Sequence, residues 1–454
     1  MKRAAALFGL WAILASGLAA PAAAGQTSSQ EALTLTLEDS IRLALQQNPF
    51  YMAEKAKEDA ASASVREAVS GFFPSVNAQG TNILDKKVFS ITFPSFIPGE
   101  PPTKVKMDFS RAYQMTLNFS LPLFMGGRLV SGYKQAGLNL DSTREGIRRT
   151  QQETVYNVKR AFYGVLLARA FVDVTAEAVE LAEKHVKNVR NLFEAGMATK
   201  FDLLRSEVQA ANLKPQLIRS RNGLRASELG LKTLLGLDLA RPIEVKGDLS
   251  LKAVDVNTDE NIAKALTQRP ELNQLRYQKL MASEMVKMAK AAYLPTLAVG
   301  GAYNIWADKL KLGRDIWEDY YQINLVLSFP IFNGFVNSAK LAQSRAALKQ
   351  IEYSRQGLAE TVKLEVQTAV LGLQQARESL LSQEKNVEQA LEAVRIAELN
   401  YTEGLATNLD VSSVQVALSE ARSNYTQALY DYAVALAELE KAVGLNQDAF
   451  EKAL

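Results

Sequence analysis

From Arg128 to Ala195 apolar residues recur with a heptad period: Val158, Val165, Val172, Val179, Val186 and Phe193 form one row. Ala161, Ala168, Thr175, Ala182 and Val189 follow three positions behind it. The same seam returns at Val366, Leu373, Leu380, Val387, Val394 and Tyr401, with Ala369, Ala376, Gln383, Ala390 and Ala397 between. This pattern predicts long helices over about 128–195 and about 335–403, packed through layers alternately bulky and mostly small. About 68 residues rising about 1.5 Å each give roughly 100 Å, a rod rather than a globular helix.

Shorter helical stretches flank each rod, from about Leu37 to Phe72 and Phe201 to Leu235, then Glu260 to Tyr293 and Leu409 to Val443. Placed end to end, two such pieces match one rod, so each half predicts a broken helix packed alongside a long one. Thr36, Thr199 and Thr407 each precede a helix with Asp39, Asp202 or Asp410 three residues on, a capping-box-like start with Asp in place of Glu or Gln. Gly196 and Gly404 stand where the preceding helices stop. Tip turns are therefore expected at about 196–200 and about 404–408.

Other segments alternate with period two. Met107, Phe109, Arg111, Tyr113, Met115, Leu117, Phe119 and Leu121 interleave with Asp108, Ser110, Ala112, Gln114, Thr116, Asn118 and Ser120. Tyr321, Ile323, Leu325, Leu327 and Phe329 interleave with Gln322, Asn324, Val326 and Ser328. These predict strands with one apolar and one mostly polar face. Weaker partners around Val76 to Gly80 and Leu297 to Tyr303 complete strand hairpins at about 74–122 and about 295–330. A Pro-rich loop (Pro94 to Pro102) closes the first, a charged loop (Asp308 to Asp319) the second.

The chain is an internal duplication. Leu121-Pro122-Leu123-Phe124-Met125-Gly126 recurs as Phe329-Pro330-Ile331-Phe332-Asn333-Gly334, and Asn48-Pro49 corresponds to Arg269-Pro270. The expected organisation is a leader over 1–24, a first repeat over 25–236, a mid-rod connector over 237–259 marked by Pro242 and Gly247, and a second repeat over 260–454. Met1-Lys2-Arg3, an apolar run and Ala22-Ala23-Ala24 read as a signal peptide.

There is no cysteine, which excludes disulfides and thiol chemistry. The formal net charge is only +3, and Lys2 and Arg3 belong to the leader, so nothing electrostatic argues for nucleic acid. Past the leader, no apolar run reaches the roughly 20 residues of a membrane helix, which leaves membrane β-strands open. Four strands per chain cannot close a barrel, and lipid leaves open edges without a partner. Two chains would give eight strands with a filled interior; three would give twelve and a water-filled bore suited to the Asn, Gln, Ser and Thr face. Three chains fit better.

The opening Leu35-Thr36-Leu37-Glu38-Asp39-Ser40-Ile41, Gln47-Asn48-Pro49, the two tip turns, Leu235-Gly236-Leu237 and Val443-Gly444-Leu445, in this order and duplicated, resemble the TolC-like outer membrane efflux proteins. The resemblance implies an α+β membrane protein. In it, long α-helical hairpins form a periplasmic coiled-coil tunnel, and four β-strands per protomer contribute to a shared twelve-stranded barrel in a homotrimer. It further implies an exit duct in the outer membrane that works with a periplasmic adaptor and an inner-membrane transporter, in efflux or in type I secretion.

By the same resemblance, Gly196, Met197 and Ala198, with Gly404, Leu405 and Ala406, correspond to the hairpin tips that meet the adaptor. A helix stop and a Thr cap explain the glycines and threonines without any partner, but not the exposed Met197 and Leu405. Asp202 and Tyr401 match the family's gating carboxylate and tyrosine, and Asp410 matches the first acid of its constriction. The family's best-studied channel has arginine where Ala406 stands and a second acid where Ser413 stands, so this gate network is expected to be incomplete. The competing reading makes Asp202 and Asp410 first-turn carboxylates that stabilise helix starts. Threefold symmetry would instead make each a ring of charge at the tunnel's narrow end.

Tyr113, Trp306, Trp317 and Tyr321 are expected in aromatic belts at the membrane interface. Gly164 and Gly372, equivalent across the repeat, mark either close helix crossing or a bend. The lone His185 has no Cys or second His to join it, so no metal is expected there. Nor is a cofactor: phosphate loop, nucleophile motif and convergent His or Cys set are all missing from the sequence, which argues against an enzyme. The main rival, a non-channel periplasmic coiled-coil scaffold or adaptor, explains the heptads but not the two strand hairpins.

Overall fold

The computed structural model describes residues 32–85, 89–107, 112–249, 256–308 and 317–445. The expected leader, and Phe109 and Arg111 of the alternating stretch, lie outside them. Two helices of 67 residues, α3 (Arg128–Glu194) and α7 (Val336–Thr402), dominate the chain. Each turns at its C-terminus into a helix of 36 residues, α4 (Lys200–Leu235) or α8 (Asn408–Val443). α3 packs against α4 and α7 against α8, while α3 and α8 join the two hairpins.

The upper companions of the rods are broken by proline. α1 (Leu37–Gln47) is followed by α2 (Pro49–Ser70), and α5 (Thr258–Gln268) by α6 (Pro270–Ala291). A proline at the first helical position pushes the preceding residue out of helical conformation, and Asn48 and Arg269 accordingly have ψ of 118° and 123°.

These two residues also fasten the broken helices end to end. Asn48 Nδ2 donates to Leu234 O at 2.8 Å, and its Oδ1 accepts from the amides of Phe50 and Tyr51. At the equivalent place Arg269 Nε donates to Ala442 O at 2.7 Å and its guanidinium reaches Glu365. Each joint satisfies a carbonyl in the last turn of α4 or α8, where helices run out of their own donors.

Around the joints lie two apolar cores. Leu35, Ile41, Val158, Val165, Leu231 and Leu235 are buried in one, Val362, Val366, Leu373, Leu439 and Val443 in the other. Burying each such side chain contributes about 1.5–3 kcal/mol. The connector belongs to the first core. Its β6 (Ile243–Val245) pairs in parallel with β1 (Leu33–Leu35), and Val245 is buried. Between the cores Lys159 of α3 pairs with Glu440 of α8. Burial pushes the Glu440 carboxyl up, against the opposing pull of the Lys159 charge.

The membrane-type strands form one antiparallel sheet in the order β2-β5-β7-β8, with β2 at Ser75–Asn82, β5 at Tyr113–Met125, β7 at Thr296–Ala307 and β8 at Glu318–Ser328. β5 and β7 join the two halves. Directly opposed residues share a face, so the register sorts the side chains. One face carries Asn77, Asn118, Ala302 and Gln322 in a row, then Gln79, Thr116, Asn304 and Tyr320. The other carries Val76, Phe119, Gly301 and Ile323, then Ala78, Leu117, Tyr303 and Tyr321.

The alternation from Met107 to Leu121 is not one strand. Met107 ends β4 (Thr103–Met107), which pairs with β3 (Phe89–Phe93) in a separate two-stranded sheet, and β5 starts at Tyr113. The Pro-rich loop thus caps a hairpin of its own. Pro94, Pro98, Pro101 and Pro102 confine the non-strand part to the turn.

Gly236 and Gly444 sit at the joints with φ of +69° and +78°. A Cβ on Gly236 would lie 2.5 Å from Gln47 O, whereas one on Gly444 would come no closer than 3.2 Å to Arg269. Alanine at either position costs about 1 kcal/mol or more in the left-handed region, and at Gly236 the collision adds to it. Thermal melts followed by circular dichroism should rank parent above Gly444→Ala above Gly236→Ala. Equal midpoints for the two variants would show that the first joint yields without strain.

Candidate channel entrance

At the tips the chain reverses by the same hydrogen bonds twice. Leu192 O accepts from the amides of Met197 and Ala198, and Asn400 O from those of Leu405 and Ala406. This closure needs a left-handed residue, which Gly196 and Gly404 supply with φ of +75° and +73°. Met197 is 73% exposed and Leu405 79%. Ala198 and Ala406 are half-buried.

Complete capping boxes start the return helices. The Asp202 amide donates to Thr199 Oγ1 at 3.1 Å while the Thr199 amide donates to Asp202 Oδ2 at 3.3 Å. Thr407 and Asp410 make the same exchange at 3.3 and 2.8 Å. The hydroxyl and amide of Thr407 hold the Asp410 carboxyl below the usual carboxylate range. Ser413 is exposed, and its hydroxyl donates to Asp410 O at 2.8 Å.

The two return helices are tied to each other through a residue that the sequence did not single out. Asn408, only 3% exposed, donates from Nδ2 to Asp202 O at 2.9 Å, and its Oδ1 lies 2.6 Å from Nε2 of His185, itself 6% exposed. Because Nδ2 is the donor toward Asp202, Oδ1 is the acceptor and the His185 Nε2 carries a proton. The Tyr401 ring stands 5.5 Å from the imidazole. Burial, and then the negative charge of Asp202, push the Tyr401 hydroxyl up. One cluster therefore gathers α3, α4, α7 and α8 beside the tips. Among the described residues no group of three or more His, Cys, Asp or Glu is arranged to hold a metal.

At the other end of the molecule the expected aromatic belt divides. Tyr113 and the exposed Tyr321 lie on the apolar face of the sheet, and Trp317 immediately precedes β8. Trp306 lies on the opposite face of the sheet. Its cross-strand partners are Gln114 and Glu318, its Nε1 donates to Glu318 Oε2 at 2.7 Å, and its ring lies 5.2 Å from Tyr320 on the polar face. Strand parity carried the signal: Leu297, Val299 and Tyr303 assign odd positions of β7 to the apolar side, and Trp306 falls on the even side.

The profile of the outer membrane efflux proteins matches residues 40–237 and 261–445, both rods and both sheet segments. The chain belongs to this family. It is similar to the alkaline protease secretion protein AprF of Pseudomonas aeruginosa, 25% identical over 92% of this chain and 86% of that one. It also resembles the outer membrane protein TolC of Vibrio cholerae, 21% identical over 88% and 89% of the two chains. Among solved structures, CusC superposes with a TM-score of 0.74 at 18% identity, over 90% of this chain and 92% of that one. As an outer membrane efflux protein the chain resides in the outer membrane and its helices extend into the periplasm. Among the described residues no helix is long and apolar enough to cross a membrane.

Removing a cap hydroxyl by Thr199→Ala or Thr407→Ala costs about 1 kcal/mol locally, so amide exchange in the first turn of α4 or α8 should quicken about fivefold. Exchange rates matching the parent would exclude capping as the role of these threonines. The Asp410 carboxyl has a lowered pKa in the folded protein, so its contribution is complete above the unfolded pKa and is lost as pH falls through the folded one. The difference in protection between parent and Asp410→Asn should accordingly vanish in acid.

Proposed function

We propose that three copies of the chain form a passive exit duct, in which their sheets close a twelve-stranded barrel and their helical hairpins a periplasmic tunnel. The observation that carries this reading is the four-stranded sheet itself. Its two faces differ in polarity, and among the described residues the outer edges of β2 and β8 pair with no further strand. Lipid cannot satisfy those edges, so other copies must, and twelve strands leave a bore for the Asn, Gln, Ser and Thr face. Tyr113, Trp317 and Tyr321 then mark the membrane interface and Trp306 the inner wall near the outer mouth.

Substrates enter from an inner-membrane transporter through a periplasmic adaptor that docks on the tips, Gly196-Met197-Ala198 and Gly404-Leu405-Ala406. Two exposed apolar side chains on otherwise polar turns support this docking. A groove of about 340 Å³ between α3, α4 and α8, lined by Gln209, Gln216, Gln415 and Ser419, gives an adaptor hairpin further purchase. Closure of the entrance rests on Asp202 and Tyr401 and on the Asn408 link to His185, while Asp410, with Ser413 one turn on, forms the charged ring.

Planar-bilayer recordings of detergent-purified protein, with its oligomer mass measured in parallel, test the duct. Discrete channels from a trimer are expected, and a soluble protein that does not insert would favour the coiled-coil scaffold. Asn408→Ala and Tyr401→Phe should raise single-channel conductance, whereas conductance equal to the parent's would remove this cluster from the gate. In a salt gradient, Asp410→Ala should weaken cation selectivity; an unchanged reversal potential would leave Asp410 a cap alone. Met197→Glu with Leu405→Glu should abolish export in cells while trimers and conductance persist. Export at the parent level would place adaptor docking elsewhere.

A further inference from the structure

Among the described residues the β3–β4 hairpin pairs with no strand of the main sheet. Its register gives it two unlike faces. Phe89, Ile91, Phe93, Thr103 and Val105 share one side; Ser90, Thr92, Lys104 and Lys106 share the other. Phe89 is 66% exposed, and Phe93 and Val105 are exposed as well. In the turn Phe96 is 96% exposed, beside an exposed Ile97. A solvated loop gains nothing from five large apolar groups in water, so this face is built for a partner.

Position limits what the partner can be. Five or six residues connect the hairpin to β2 on one side and to β5 on the other. At about 3.3–3.6 Å per residue these leashes reach roughly 20 Å, which, on the trimeric-barrel reading on which this inference rests, holds the hairpin at the rim where the apolar outer face ends. That face continues through Leu117, Tyr303 and Tyr321, and Tyr303 donates to Asp319 at 3.1 Å where strand gives way to polar surface. Charge narrows the choice further. Lys104 and Lys106 stand on the hairpin against the one acid Glu100, while in the sequence its flanks carry Lys86 and Lys87 against Asp85 and Asp108.

We infer that the β3–β4 hairpin lies on the outer leaflet as an amphipathic anchor, its Phe89, Ile91, Phe93 and Val105 face in the acyl boundary and its lysines among anionic lipid headgroups. Apolar burial supplies the contact and the lysines tie it to anionic lipid, as in interfacial amphipathic helices. The hairpin extends the membrane-facing surface beyond the barrel wall without adding a spanning strand.

Because the chain has no cysteine, single cysteines can be introduced and spin-labelled without background. Phe93→Cys and Val105→Cys report the apolar face, Thr92→Cys the opposite one. In trimers reconstituted into vesicles of phosphatidylglycerol and phosphatidylcholine, labels at 93 and 105 should collide with oxygen and lose access to a water-soluble nickel chelate. The label at 92 should keep that access. Equal nickel access at all three positions would overturn the inference. So would dipolar coupling between labels at 93 that protects them equally in detergent, since a second copy would then cover the face. Lys104→Glu with Lys106→Glu should lessen immersion in the anionic vesicles and leave it unchanged in pure phosphatidylcholine. Insensitivity to the charge reversal in both vesicle types would exclude anionic lipid as the ligand.

Discussion

Hydrocarbon offers no hydrogen bonds, and the chain's main sheet ends on both sides in strands whose outer edges pair with no other strand among the described residues. The sheet's other features follow from that constraint. Parity must hold without slippage over the full width, because a shift of one residue would turn the asparagines and glutamines to lipid. The Thr116 hydroxyl on Asn304 Oδ1 at 2.8 Å is one polar tie across the junction of the two halves. At Pro122, which has no amide proton to give, the register slips by a bulge before Phe124, so the proline leaves no gap in a continuous ladder.

The helical part solves a different problem, how to keep a rod of about 100 Å straight with companions that are interrupted. Duplication provides two copies of one answer, with different chemistry in each. Asn48 uses a short amide that caps its own helix and reaches across. Arg269 makes no side-chain cap and reaches across with a guanidinium that also engages Glu365. The carbonyl served, Leu234 or Ala442, is the same position of the repeat. What duplication preserved is the demand of the helix end for a donor, not the residue that meets it.

Features that repeat with a period were readable in the sequence. Heptads located α3 and α7, and Gly196 followed by Thr199 and Asp202 forecast a stop and a capped restart. Features that depend on contact between distant segments were not. Asn408 looks like an ordinary first-turn residue until α4 and α3 are placed beside it. The β3–β4 hairpin was hidden because its strands have five residues each and enclose four prolines, a composition that reads as loop. Trp306 stands on the polar face of the sheet because parity, not residue type, decides the side a strand residue takes.

Tyr113 opposes Ala307 and Leu117 opposes Tyr303, so β5 completes its pairing only once β7 of the second half has been made. Such non-local pairing comes late and slowly in folding. A newly exported chain can wind its helices early but must carry the apolar strand face unprotected until β7 arrives, and its outer edges until other copies arrive. Biogenesis is then governed by encounter frequency. Its last step depends steeply on protomer concentration, and at low expression the half-built sheet is the state most exposed to proteases and to aggregation.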